Sequence, residues 1–200
     1  RADTATIKDE VVPALLRVVH DHLFILGQPV EQLEQSVAAL SRTKYAIGCA
    51  NGTDAILLAL RALDIGRGDE VITTPFTFFA TAGTVHNVGA TPVFVDIEPK
   101  TFNIAPDAIA AAVRPATKAV IPVDLFGQMA ALELVEKAAP GLPIIEDAAQ
   151  SIGAIECDVG RLGIDALAVA SQKHLLALYG FGFLYVRRGV AESLTPAHVA

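Results

Sequence analysis

Residues 66–96, GRGDEVITTPFTFFATAGTVHNVGATPVFVD, decide the fold. Gly66-Arg67-Gly68 opens a turn, EVITT (70–74) is a β-rich run, residues 79–87 read as a helix, and PVFVD (92–96) is a second apolar run. Runs of this kind, short and continuous in Val and Ile, belong to strands covered on both faces, and a helix between two of them is the connection of parallel strands. The same alternation continues in both directions. Upstream, Tyr45–Cys49 is a short apolar strand followed by a helix over 54–63. Downstream come strands over 118–123, 143–147, 166–170 and 181–187, with helices over 106–113 and 129–139. Pro106 suits a first helical turn and Asp107 behind it favours the helix dipole.

The count is seven strands. The last two are joined by about ten residues, short for a parallel crossover, so the seventh is expected to run antiparallel. The fold class is α/β, a three-layer domain with one seven-stranded, mainly parallel sheet and helices on both faces. No repeat, low-complexity segment or internal linker divides it, so residues 43–200 are expected to form a single domain. Residues 1–42 read as a helical arm packed on that domain. Its first helix, 5–22, carries Ile7, Val11, Leu15 and Val18 on one face and is expected to kink at Pro13; its second covers 30–41.

Composition narrows the function. The chain has 200 residues, 52% apolar and 18% charged, against roughly 25% charged in ordinary soluble domains, which excludes disorder. A net charge of −7 lacks the basic face that nucleic acid requires. The uncharged stretch His174–Val186 falls short of the about 20 residues of a membrane span. Lys8, Asp9 and Glu10 interrupt any leader-like run, and a chain opening on Arg1 reads as processed or excised. Cys49 and Cys157 are far apart and read as buried small hydrophobes, which fits a cytoplasmic protein. His20 and His22, two apart on a helix, point different ways, so no metal site is expected.

In open α/β sheets, ligands bind outside the carboxyl ends of the strands. Four features stand there. Asn51-Gly52-Thr53-Asp54 after the first strand is either an ordinary glycine turn with a threonine cap or a phosphate cup at a helix N-terminus. Phe76, Phe78 and Phe79 after the second are core packing, or one ring stacks on a flat ligand. Glu146-Asp147 ends the fifth strand, where Asp147 either caps a helix or holds a cation or a protonated ring nitrogen. Lys173 follows the sixth strand, where it reaches solvent or acts as a Schiff-base nucleophile. A phosphate cup, a stacking ring, a carboxylate and a lysine are together the parts that hold pyridoxal 5'-phosphate, whose ring takes up carbanion electrons while its nitrogen stays protonated. A nicotinamide site is disfavoured: no G-x-G-x-x-G follows the first strand, and Gly66-Arg67-Gly68 precedes a strand.

From about residue 7 to 155 the chain resembles the DegT/DnrJ/EryC1/StrS family of sugar aminotransferases. The resemblance is carried by FILGQPVEQLE (24–34), YAIGCANGTDAILLALRAL (45–63), residues 66–104, TKAVIPVDLFGQ (117–128) and GLPIIEDAAQSIGA (141–154). It implies the aspartate-aminotransferase fold, fold type I. It also implies that Gly52 and Thr53 bind the cofactor phosphate, Phe78 stacks on the ring, Asp147 pairs with the ring nitrogen, Gln150 contacts the ring hydroxyl and Lys173 is the Schiff-base lysine. Ser171 is a phosphate ligand by position. The implied activity moves an amino group from an amino-acid donor to a keto-sugar nucleotide, in a homodimer. The segment VGRLGIDALAVASQKHLLALYGFGFLYVRRGVAESLTP (159–196) is more similar to class V aminotransferases, so a chimera joined near residue 155 is expected. Family members resemble the chain over a longer length that includes a second, small domain, which this sequence is expected to lack. The alternative is therefore an engineered or truncated cofactor-binding scaffold with little or no turnover.

Overall fold

The computed structural model describes residues 4–177 and 179–192. Seven strands appear near their expected places: β1 (Ile47–Cys49), β2 (Glu70–Thr73), β3 (Thr91–Phe94), β4 (Thr117–Val120), β5 (Ile145–Asp147), β6 (Ala166–Ala170) and β7 (Gly182–Val186). They pair as a four-stranded sheet in the order β1-β7-β6-β5 and a three-stranded sheet in the order β3-β2-β4. The single seven-stranded ladder expected from the sequence is thus drawn as two. Between their facing edges lie isolated parallel bridges, Val120↔Ile144 and Val123↔Asp147. β2, β3 and β4 run parallel, as do β5 and β6. The last strand is antiparallel to both its neighbours, β6 and β1, as its short connection requires.

Eight helices accompany the strands among the described residues: α1 (Thr4–His20), α2 (Gln28–Leu40), α3 (Gly52–Ala62), α4 (Phe79–Asn87), α5 (Pro106–Ala112), α6 (Leu132–Ala138), α7 (Val159–Leu162) and α8 (Arg188–Ala191). The alternation of side chains along each strand sorts the core into two layers. Ile72, Val120, Ile144, Leu167, Val169 and Phe183 face one cluster, with α2, α5 and α6. Val71, Ala119, Ile121, Ile145, Ala166, Ala168 and Leu184 face the other, with α3 and α4. Every residue of β6 is buried. Each fully buried Ile or Leu contributes about 1.5–3 kcal/mol over its exposed state, so both faces hold the strands in place.

The side toward α3 is lined with alanine, and this lets backbone approach backbone. A Cβ added to Gly52 would stand 3.1 Å from Ala170 Cβ; one added to Gly182 would stand 2.5 Å from the Asn51 carbonyl carbon and 2.7 Å from Val169 O. The start of α3, the end of β6 and the start of β7 are packed main chain on main chain there.

The two helices of the arm differ in burial. α2 buries Val37 and Ala38 in the core, and its Glu34 accepts a 2.7 Å hydrogen bond from Gly48 N in β1. α1 runs through Pro13 without ending and contributes nothing to either core cluster. Leu15, Leu16 and Val19 are exposed, as are Phe24 and Ile25 beyond it. An apolar stripe shows that a helix can bury a face; it does not say against which surface.

Candidate functional site

The carboxyl ends of β1, β2, β4, β5 and β6 bring the sequence-predicted residues to one rim. Gly52 begins α3. The cap is Asn51 and not Thr53: Asn51 Oδ1 accepts from Asp54 N at 2.8 Å. Thr53 is left exposed on the first turn, where unpaired main-chain N–H groups and the helix dipole favour an anion. Phe78 is the residue before α4 and its ring is 69% exposed, so it is not core. Phe79 is exposed too, while Phe76 joins Phe102 and Phe126 in an aromatic group with centroids 5.8–6.5 Å apart.

Asp147 closes β5, paired in register with Ala168 of β6. Its Oδ2 accepts from Thr81 Oγ1 at 3.1 Å and its Oδ1 from Ala149 N at 3.3 Å. Thr81 in turn lies 3.0 Å from the Thr77 hydroxyl. Burial raises the Asp147 carboxyl above the ordinary range; the Ala149 N–H, the Lys173 ammonium and the Thr81 hydroxyl pull it back, and Asp124 pushes it further up. A half-buried carboxylate so placed is suited to an opposite charge. Lys173, half-buried in the turn after β6, stands on the adjacent strand end. Gln150 Oε1 accepts from Phe126 N at 3.3 Å, tying the loop after β4 to the loop after β5. The Ser171 hydroxyl donates to Phe181 O at 2.6 Å, bracing the connection to β7.

Thr81 and Asp124 were not singled out by the sequence. The spacing of Thr81 and Thr84 on the buried side of α4, with Thr77 just ahead of the helix, is a signal in retrospect: buried hydroxyls need an acceptor. Asp124 is buried beneath the rim and lies close to Glu146, and its charge pushes the Asp147 carboxyl up. A cavity of about 650 Å³ opens elsewhere, lined by Arg42, Tyr45, Val159, Tyr185 and Arg188. Among the described residues no group of three or more His, Cys, Asp or Glu could hold a metal ion, and no helix is long and apolar enough to cross a membrane.

Parallel strands with a lysine and a carboxylate on adjacent carboxyl ends, beside a helix N-terminus, define an α/β protein with its charged side chains gathered at one rim. The chain belongs to the DegT/DnrJ/EryC1/StrS aminotransferase family, whose sequence profile matches residues 5–177. The match runs across residue 155 and includes Lys173, over the segment where a change of branch was expected. The chain is 51% identical to the pleiotropic regulatory protein of Geobacillus stearothermophilus, over 90% of this chain and 50% of that one. It is 49% identical to the UDP-2-acetamido-2-deoxy-3-oxo-D-glucuronate aminotransferase of Pseudomonas aeruginosa, over 75% of this chain and 42% of that one. Among solved structures, a DegT DnrJ EryC1 StrS aminotransferase from Brucella abortus superposes with a TM-score of 0.85 at 36% identity, covering 96% of this chain and 55% of that one. NtdA from Bacillus subtilis, solved with bound cofactor PMP, gives 0.85 at 31% identity, covering 92% and 43%. The chain spans about half the length of the curated relatives it matches.

Proposed function

We propose that this chain is the cofactor-binding part of a pyridoxal-phosphate-dependent sugar aminotransferase of fold type I, which moves an amino group from an amino acid to a keto-sugar nucleotide. The observation that carries it is the placing of Asp147 and Lys173 on the ends of adjacent parallel strands, with Asp147 held by Thr81 and Ala149. The residues present fit the cofactor. The first turn of α3 at Gly52 and Thr53 offers N–H groups and a hydroxyl to its phosphate, with Ser171 below. The exposed ring of Phe78 would stack on it, Gln150 would meet its hydroxyl, and Asp147 would face its nitrogen. When bound, it supplies an electron sink for a carbanion. The chain's own part is to hold and to move protons. Asp147 would face the ring nitrogen as the carboxylate that holds its proton, and Lys173 would hold the cofactor through its amine and carry a proton to and from the donor carbon. The relatives' substrates support a sugar nucleotide, as in the P. aeruginosa enzyme.

The two bridges between β4 and β5 support reading the two sheets as one seven-stranded sheet of a large domain over residues 43–200, with residues 1–42 as its arm. The protein is read as a cytoplasmic homodimer. The exposed apolar residues of α1 motivate the second copy, because a helix with an apolar face must bury it, and a two-fold pair is the commonest way. Adding pyridoxal 5'-phosphate should produce a visible absorbance band, and L-glutamate or L-alanine should then shift it. A band that never responds to either amino acid leaves a binding scaffold without turnover. Light scattering across a hundredfold dilution should return a dimer; a stable monomer at micromolar concentration counts against the pair.

A further inference from the structure

Two carboxyl groups are buried with no exposed surface beneath the rim: Glu146 in β5 and Asp124 in the segment after β4. The molecule treats another buried carboxylate conventionally. Asp165 accepts from Ile144 N at 2.9 Å and pairs with Arg187. Glu146 has neither kind of partner: both of its oxygens are buried without a hydrogen bond, and so is Asp124 Oδ2, while Asp124 Oδ1 accepts from Ala130 N at 2.9 Å. No salt bridge reaches either group among the described residues. Two bare charges in such a place would repel each other and forgo solvation worth several kcal/mol each. The side chains lie within hydrogen-bonding reach of one another, so the missing donor is a proton.

We propose that Glu146 carries a proton which it donates to Asp124, and that this carboxyl pair clamps the end of β4 to the end of β5 and so positions Asp147. The clamp rests on main-chain geometry. Asp147 N donates to Pro122 O at 2.9 Å and Asp124 N donates to Asp147 O at 3.1 Å, around the bridge Val123↔Asp147. Asp124 and Glu146 flank that bridged pair, one on each chain segment. The period-two alternation therefore sends them to the face opposite the Asp147 side chain, which turns to Thr81 on α4. The junction they span is where the two sheets meet through isolated bridges alone, so side chains do there what a ladder does elsewhere. Burial and the neighbouring Asp124 and Asp147 raise the Glu146 carboxyl well above its usual range, and Cys157, pushed up to about 11 by burial and by Glu146, is the further titratable group on that side. The functional half of the proposal rests on Asp147 facing the cofactor.

The test begins without cofactor. At about pH 7 the infrared spectrum of the full chain should show the C=O stretch of a carboxylic acid that disappears in Glu146→Gln and survives in Asp147→Asn. Glu146 then binds a proton in the folded chain but not in the unfolded one above its ordinary 4.5. Wild-type stability should fall relative to Glu146→Gln with a slope of one proton as pH rises from there. A carboxylic-acid band indifferent to Glu146→Gln, or curves that run parallel above about pH 6, overturn the shared proton. Pyridoxal 5'-phosphate affinity should then fall by about tenfold or more in Glu146→Ala and be restored in Glu146→Gln, which keeps a neutral donor to Asp124. Unchanged affinity in Glu146→Ala overturns the positioning role. If Glu146→Ala does not fold, the failure of Glu146→Gln to retain affinity does so instead. Should Asp147→Asn bind cofactor as the wild type does, the reading of Asp147 falls while the infrared and pH results stand.

Discussion

The end of β5 and the helix α1 break the same rule in opposite directions. At β5 the chain puts a carboxyl group inside, Glu146 at 0% exposure; at α1 it leaves hydrocarbon outside, Leu16 at 61%. Neither state is tolerable alone. A buried polar group needs a hydrogen-bond partner, and a contiguous apolar stripe needs a covering surface. The difference lies in where the partner comes from. The rim finds its partners within the described chain, through Thr81, Asp124 and main-chain N–H groups. The exposed apolar residues of α1 have no place in either core cluster of the described residues.

Four changes break or sharpen this contrast. Lys173→Ala should abolish the visible band formed with pyridoxal 5'-phosphate, since Lys173 is the lysine in the turn directly after β6. A retained band, reducible by borohydride onto another lysine, would reassign the nucleophile. Gly182→Ala should destabilise the chain by about 2–3 kcal/mol, because its Cβ would stand 2.5 Å from the Asn51 main chain. The check is a denaturant midpoint, and a wild-type value would mean that the main chains there are not in contact. Asp147→Asn should keep some cofactor and lose transamination, as a neutral amide cannot hold a protonated ring nitrogen; near-normal turnover would remove the carboxylate from the mechanism. At the other pole, Leu16→Asp with Val19→Asp should change unfolding stability by less than about 0.5 kcal/mol when measured below the association range. The same pair of changes should dissociate the dimer in light scattering. A large loss of stability in the monomer would show α1 packed on its own domain.

How much of this could be read from the sequence follows from which signals are local. Strand and helix places were legible because apolar runs and helical spacing are properties of short windows; even the reversal of β7 followed from the shortness of residues 171–181. The four-residue α7 and α8 are too brief to show a period and were missed. Asn51 and Thr53 are both good capping residues, and only the dihedral angles of the first turn decide for Asn51. Asp147 and Lys173 stood out as charged residues closing apolar strands. Thr81 and Asp124 did not, since their meaning depends on which element lies next to β5. The ladder between β4 and β5 thins to isolated bridges, a long-range detail that no window contains. What covers α1 is equally out of reach of a short window: the stripe is local, its partner is not.

The antiparallel course of β7 has one more consequence. A parallel successor to β6 would have carried the chain back beneath the sheet and fixed the length of its return. Because β7 starts beside the end of β6, with Ala170 opposite Gly182, the connection between them leaves from the rim and returns to it. Such a loop can lengthen at little entropic cost, each doubling adding only about 0.6 kcal/mol. The segment that bears Lys173 is therefore the place where evolution can redraw the mouth of the site without redrawing the sheet.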